Sequence, residues 1–149
     1  LDATHQKNSI RHLAVASDGT VAFAMQWQGD VGAHPPLMGL HQRGSKARLG
    51  NATPDEARQM AGYAGSIAIS EHTGKVAVTS PRGGVVQVFD LASGQLDQHY
   101  RLADVCGVAP SPAGFVVTNG LGQIIENPTM DQTKAHQHPV RWDNHLISI

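Results

Sequence analysis

Cysteine is almost missing from the 149-residue chain; Cys106 is the only one. An intramolecular disulfide is excluded, and so is a zinc site built on two or more thiolates of one chain. Aromatic residues make up only 5%. That ranks sugar or polymer recognition on ring platforms last among the binding functions. Charge is sparse too, at 15% of residues, against a usual share of about 25%. Neither sign prevails, because eleven Lys and Arg face twelve Asp and Glu for a formal net charge of -1. A strongly electropositive nucleic-acid binder and an acidic disordered tail are both excluded. No apolar run approaches the roughly 18 residues of a membrane span. No secretory signal is visible, and the chain opens at Leu1 without an initiator Met, which predicts a processed product or a fragment.

Against this scarcity, histidine is abundant, with nine residues. The net charge therefore turns positive as pH falls through about 6.5. The length suits a single domain with a modest core.

Helical periodicity is scarce. Short β-branched stretches separated by Gly, Pro and Ser take its place. Between residues 66 and 102 the pattern predicts four strands: Ser66 to Ser70, Lys75 to Ser80, Val85 to Asp90, and Gln95 to Leu102. Glu71-His72-Thr73-Gly74, Pro81-Arg82-Gly83-Gly84 and Ala92-Ser93-Gly94 supply the turns. Four antiparallel strands in about 40 residues is the size of one propeller blade.

The two-strand opening of this unit recurs from Arg11 to Phe23 and from Gly107 to Thr118, and Trp142 to Ile147 reads as a fourth strand start. The expected fold is all-β: a partial β-propeller of about three four-stranded antiparallel blades plus a closing strand. One short helix is expected in an inter-blade insertion at about 43–62. Thr53 would cap that helix, with Pro54 in its first turn and Glu56 completing a capping box, and it would run to about Ala61 and stop at Gly62. Propellers typically close with about 4–8 blades. Residues 1–149 therefore read as the C-terminal part of a single propeller domain, completed by the remainder of the propeller or by a second copy. A self-contained sandwich of about ten strands is the alternative.

The segments Ser9-Ile10-Arg11-His12-Leu13-Ala14, Gly19 to Gly29, His34-Pro35-Pro36-Leu37, Thr79-Ser80-Pro81-Arg82-Gly83-Gly84 and Trp142-Asp143-Asn144-His145-Leu146 resemble a bacterial family of exported proteins. It is domain-of-unknown-function family fifteen-thirteen, and the resemblance is to its C-terminal half. The resemblance implies a propeller-like fold, twin-arginine export to the periplasm, and gene neighbours that encode imelysin-type lipoproteins and di-haem oxidoreductases. Those clusters are thought to serve iron acquisition. It implies no reaction and transfers no catalytic residue.

If Leu13, Ile67, Val108 and Leu146 are equivalent in the repeat, then so are His12, Ser66, Gly107 and His145. Arg11, Gly65, Cys106 and Asn144 form the ring before them, with Asp143 beside it. In a propeller such positions surround one mouth of the central channel. His12, His145 and Cys106 are the candidate metal ligands there, and imidazole and thiolate suit Fe, Cu or Zn. Arg11, Arg82, Asp143 and Asn144 are the candidate ligand-binding residues, Arg82 because a guanidinium grips carboxylate or phosphate. In the bland reading the histidines only bond strand-end carbonyls, and Cys106 is buried and inert. His34 and His41 read as solvated loop histidines. His136 and His138 read as residues of an exposed edge, and Trp27 and Trp142 as packing residues.

Two functions follow. The first is a periplasmic binding or scaffold propeller with a metal or ligand site at the channel mouth, partnered by imelysin-type or di-haem proteins. The alternative is a metal-dependent enzyme with a His-lined channel. No Ser-His-Asp signature or paired-carboxylate motif supports catalysis.

Overall fold

Ile10, Leu13 and Val15 are spaced through the residues after Asn8, in a stretch rich in strand formers. In the computed structural model, which describes residues 1–128, 134–144, 146 and 147, this stretch forms β1 (Asn8–Val15). β2 (Val21–Trp27), β3 (Met38–His41) and β4 (Arg48–Leu49) follow, and the four pair in sequence order. The short helix α1 (Pro54–Gln59) comes next, with its capping box formed between Thr53 and Glu56. β4 lies inside the interval read as an insertion. The helix ends at Met60, before Ala61 and Gly62 at φ 48° and 69°.

The second sheet holds β5 (Ser66–Ser70), β6 (Lys75–Ser80), β7 (Val85–Asp90) and β8 (Leu96–Arg101). These bounds agree with the sequence reading to within a residue at each end. Gly74 at φ 64°, Gly84 at φ 58° and Gly94 at φ 74° occupy the three turns between them, a conformation that costs glycine little. The third sheet holds β9 (Val105–Ser111), β10 (Gly114–Asn119), β11 (Gln123–Glu126) and β12 (Lys134–Gln137).

Each sheet is a four-stranded antiparallel unit, and the first strands of the units pack side by side, β1 beside β5 and β5 beside β9. This is three blades of a β-propeller stacked in series, rather than two sheets facing each other.

The register explains why the middle blade lacks alternation. Ile67, Val78 and Gln87 lie opposite one another, as do Ile69, Val76 and Phe89, so they share one face. That face joins the core of the first blade, with Met25, Met38 and Leu40. Ala68, Ala77 and Val88 share the other face and pack with Val108, Phe115 and Val117 of the third blade. Both faces are dry, so β5 to β7 read as continuous apolar runs. The inner strands border an open apolar hollow of about 230 Å³, lined by Val15, Ile67, Ile69, Val108, Pro110 and Leu146 among others.

Among the described residues the expected closing strand is not formed. Residues 141–144, 146 and 147 carry no strand pairing. They cross the starts of β5 and β9 instead: a Cβ at Gly65 would lie 3.0 Å from Asn144 Oδ1, and one at Gly107 would lie 3.0 Å from Leu146 Cβ. This segment packs by contact with two glycine backbones and has no ladder of its own. Among the described residues no helix is long and apolar enough to cross a membrane.

Candidate functional site

At the end of the blades where β5 and β9 begin, a hollow of about 300 Å³ draws on four separate segments. The approach to β5 supplies Tyr63. The β6–β7 turn supplies Pro81 and Arg82. The start of β9 supplies Asp104 and Cys106. The crossing segment supplies Trp142, Asp143 and Asn144.

Local chemistry holds each part in place. Arg82 is exposed, and its guanidinium carbon lies 4.9 Å from the centre of the Tyr63 ring, within cation–π range. Asn144 Nδ2 donates to Tyr63 Oη at 3.4 Å, and the Asn144 backbone N–H donates to Asp143 Oδ1 at 2.7 Å. Asp104 sits at φ 53°, a region Asp tolerates better than most residues. Its carbonyl accepts from Gly120 N–H at 3.0 Å. Its carboxylate lies against Gly120, where a Cβ would come within 2.0 Å of Asp104 Oδ2.

Cys106 is buried. Its sulfur lies 3.5 Å from both oxygens of Thr118, and its carbonyl accepts from Thr79 Oγ1 at 2.5 Å. Its surroundings are those of a packing residue. Trp142 Nε1 is buried without an acceptor among the described residues, and the His138 ring meets the indole edge-on at 5.9 Å.

Of the residues singled out in the sequence, Arg82, Cys106, Asp143 and Asn144 therefore share one hollow. Arg11 is exposed at a register shift in β1 and lies outside it. His12 is half-buried opposite Ala24 and is not among the lining residues. His145 lies outside the described residues. No three His, Cys, Asp or Glu side chains are grouped as a metal would need among the described residues, which do not by themselves make a metal site.

His41 is exposed at the end of β3, as expected. His34 is half-buried, its Nδ1 without a partner among the described residues. His136 and His138 are exposed but meet different neighbours, Glu126 at 3.9 Å and Trp142 respectively. Trp27 packs against the first core as expected, whereas Trp142 lines the mouth.

Tyr63 and Asp104 are not among the candidates the sequence offers, and Trp142 reads there only as a packing residue. Each stands two residues before a member of the ring Gly65, Cys106 and Asn144. In extended chain, residues two apart share a face, so continuing the repeat alignment by one such step was the signal that finds them.

No curated protein matches the chain. Several solved structures do. Virginiamycin B lyase from Staphylococcus aureus is 16% identical with a TM-score of 0.68, over 95% of this chain and 45% of that one. Sqt1 from Saccharomyces cerevisiae is 14% identical with a TM-score of 0.68, over 93% and 37%. AztD from Citrobacter koseri is 12% identical with a TM-score of 0.65, over 95% and 38%. At such identities the likeness is one of fold, and the chain spans less than half the length of each of these structures. A family model described as a protein of unknown function, DUF1513, matches residues 1–149.

Proposed function

The chain belongs to the DUF1513 family of proteins of unknown function, and on that premise we propose that it is part of a binding or scaffold propeller whose recognition surface is the hollow at the channel mouth. The observation that carries the reading is the convergence of Arg82, Asp104, Asp143 and Asn144 from separate segments onto one hollow. A fold without a local task gains nothing by gathering exposed charge from remote positions. A rigid blade scaffold that presents side chains at its mouth is suited to binding. Its setting, in this reading, is the periplasm and iron acquisition, with imelysin-type or di-haem proteins docking over the mouth. Any metal falls to His12 and His145 in this proposal, with Cys106 as a packing residue.

The test is direct binding. Purified imelysin-type and di-haem proteins from the same gene cluster are flowed over the immobilised protein, in parallel with Arg82→Glu and Asp143→Lys. Binding to one of them that the two substitutions abolish is the expected result. Failure of both proteins to bind, or binding that both substitutions leave intact, overturns the reading.

A further inference from the structure

The mouth holds a cation and two carboxylates, yet these opposite charges do not close on one another. Every ion pair among the described residues lies elsewhere: Arg58 with Asp55, Lys75 with Asp90 and Asp97, and the three pairs that involve His5, His99 and His136. Arg82 is held off by its stacking on Tyr63. Asp104 is held off by its left-handed backbone and its seat against Gly120. Asp143 turns one oxygen back onto the Asn144 backbone N–H. The charges thus stand apart in the structure, with no ion pair between them across the hollow among the described residues.

We infer that this separation fits the mouth to a small zwitterion, an amino-carboxylate of amino-acid type. The guanidinium of Arg82 takes the carboxylate through paired N–H donors. Asp104 and Asp143 take the ammonium group. The Trp142 indole and the Pro81 ring cover the carbon chain between them. A hollow of about 300 Å³ sits at the small end of the range for ligand sites, roughly 300–1,000 Å³, which suits a metabolite and not a polymer. The order of the groups matters: a simple anion would meet two carboxylates, a simple cation would meet Arg82, and only a molecule with both charges satisfies both ends. The inference rests on the mouth as a binding site and adds the class of what enters it.

The probes are the twenty common L-amino acids and the graded series glycine, β-alanine, γ-aminobutyrate and δ-aminovalerate, screened by thermal shift and followed by calorimetry. At least one of them is expected to raise the melting midpoint. Its N-acetyl and its carboxamide derivatives should each bind at least about tenfold more weakly, the scale of one charged hydrogen bond. Arg82→Gln should erase the preference for acid over amide, and Asp143→Asn together with Asp104→Asn should erase the preference for amine over N-acetyl. Asp143 and Arg82 are surface side chains, and circular dichroism checks that the variants keep the fold.

If no probe binds, or if capping either charge leaves affinity unchanged, the inference is wrong. Loss of protein partners in Arg82→Glu with no response to any probe would sink the ligand class and leave the mouth reading standing. Response to a probe with no protein partner would sink the docking of those proteins and leave the ligand class standing.

Discussion

The middle and first blades are built from similar lengths of strand but solve different problems. In the middle blade every residue of β5 is buried, and β6 and β7 are buried but for their ends. In the first blade β1 alternates, and Ile10, Leu13 and Val15 stand 51%, 62% and 66% exposed. By register Leu13 lies beside Phe23 and Gly39, and Ala14 beside Ala22 and Leu40. Ala14 packs on the core shared with the middle blade, and on the other side Ile10 and Leu13 carry exposed apolar surface. The lesson is that a blade's composition reports how many neighbours it is made for. Continuous β-branched runs mark a strand covered on both faces. A strand with one buried row and one bare apolar row marks a blade whose second neighbour is not among the described residues.

The strongest way to break this comparison is a matched pair of truncations. Phe89→Ala in the middle blade should cost about 3–5 kcal/mol, whereas Leu13→Ala on this chain should stay within about 0.5 kcal/mol. Urea denaturation of both, read by circular dichroism, decides it. Equal losses would mean that the bare face of β1 is covered in solution.

A smaller effect is expected where the middle blade meets α1. A Cβ on Gly83 would come within 1.9 Å of the Gln59 carbonyl, and Gln87 Nε2 and Ser80 Oγ donate to the Glu56 and Met60 carbonyls, each at 2.8 Å. Gly83→Ala should destabilise by about 1–3 kcal/mol, as overpacking does. Hydrogen exchange should show α1 loosening before the blade does.

The joint between the two blades offers a third test. The Ser17 backbone N–H donates to Glu71 Oε1 at 3.0 Å, and the Ser17 hydroxyl donates to Glu71 Oε2. This carboxylate clamps the β1–β2 turn to the β5–β6 turn. Glu71→Gln keeps the shape but loses the charge, and at an exposed site about 1 kcal/mol is expected. The shift in urea midpoint should shrink in high salt.

The smallest effect concerns pH. Hydrogen bonds from Thr53 hold the Glu56 carboxyl below the usual range, aided by His99 and opposed by burial. A carboxyl whose folded pKa is lowered stabilises the fold above its ordinary value, and the contribution fades as pH falls through the lowered one. Wild type should therefore exceed Glu56→Gln in thermal midpoint near neutral pH. The gap should close once the buffer is more acidic than the folded pKa of Glu56. A gap that persists in strong acid would place the effect elsewhere.

Much of the architecture was legible because its signals are local. Glycine turns, β-branched strands and the Thr53–Glu56 capping box act within a few residues of themselves, so they survive in sequence alone. The repeat alignment grouped Cys106, Asp143 and Asn144, and the Pro81 to Gly84 turn added Arg82; the four line one hollow. The register shift between Ile10 and His12 was not legible; it leaves Arg11 exposed and outside the mouth. Nor was the irregular path of residues 141–144, which depends on contacts with glycines far away in sequence. Tyr63 escaped notice because its role, as a platform under Arg82, exists only once two turns of different origin meet.

The two glycines at positions 65 and 107 have a consequence for timing. Residues 142–144 can rest on the mouth only after β5 and β9 have formed the floor beneath them, and during synthesis this stretch emerges after all three blades. Partly assembled molecules therefore present a floor without Trp142, Asp143 or Asn144. The hollow thus gains its last wall in a single late step, and a half-made copy carries only the Tyr63, Arg82 and Asp104 part of it.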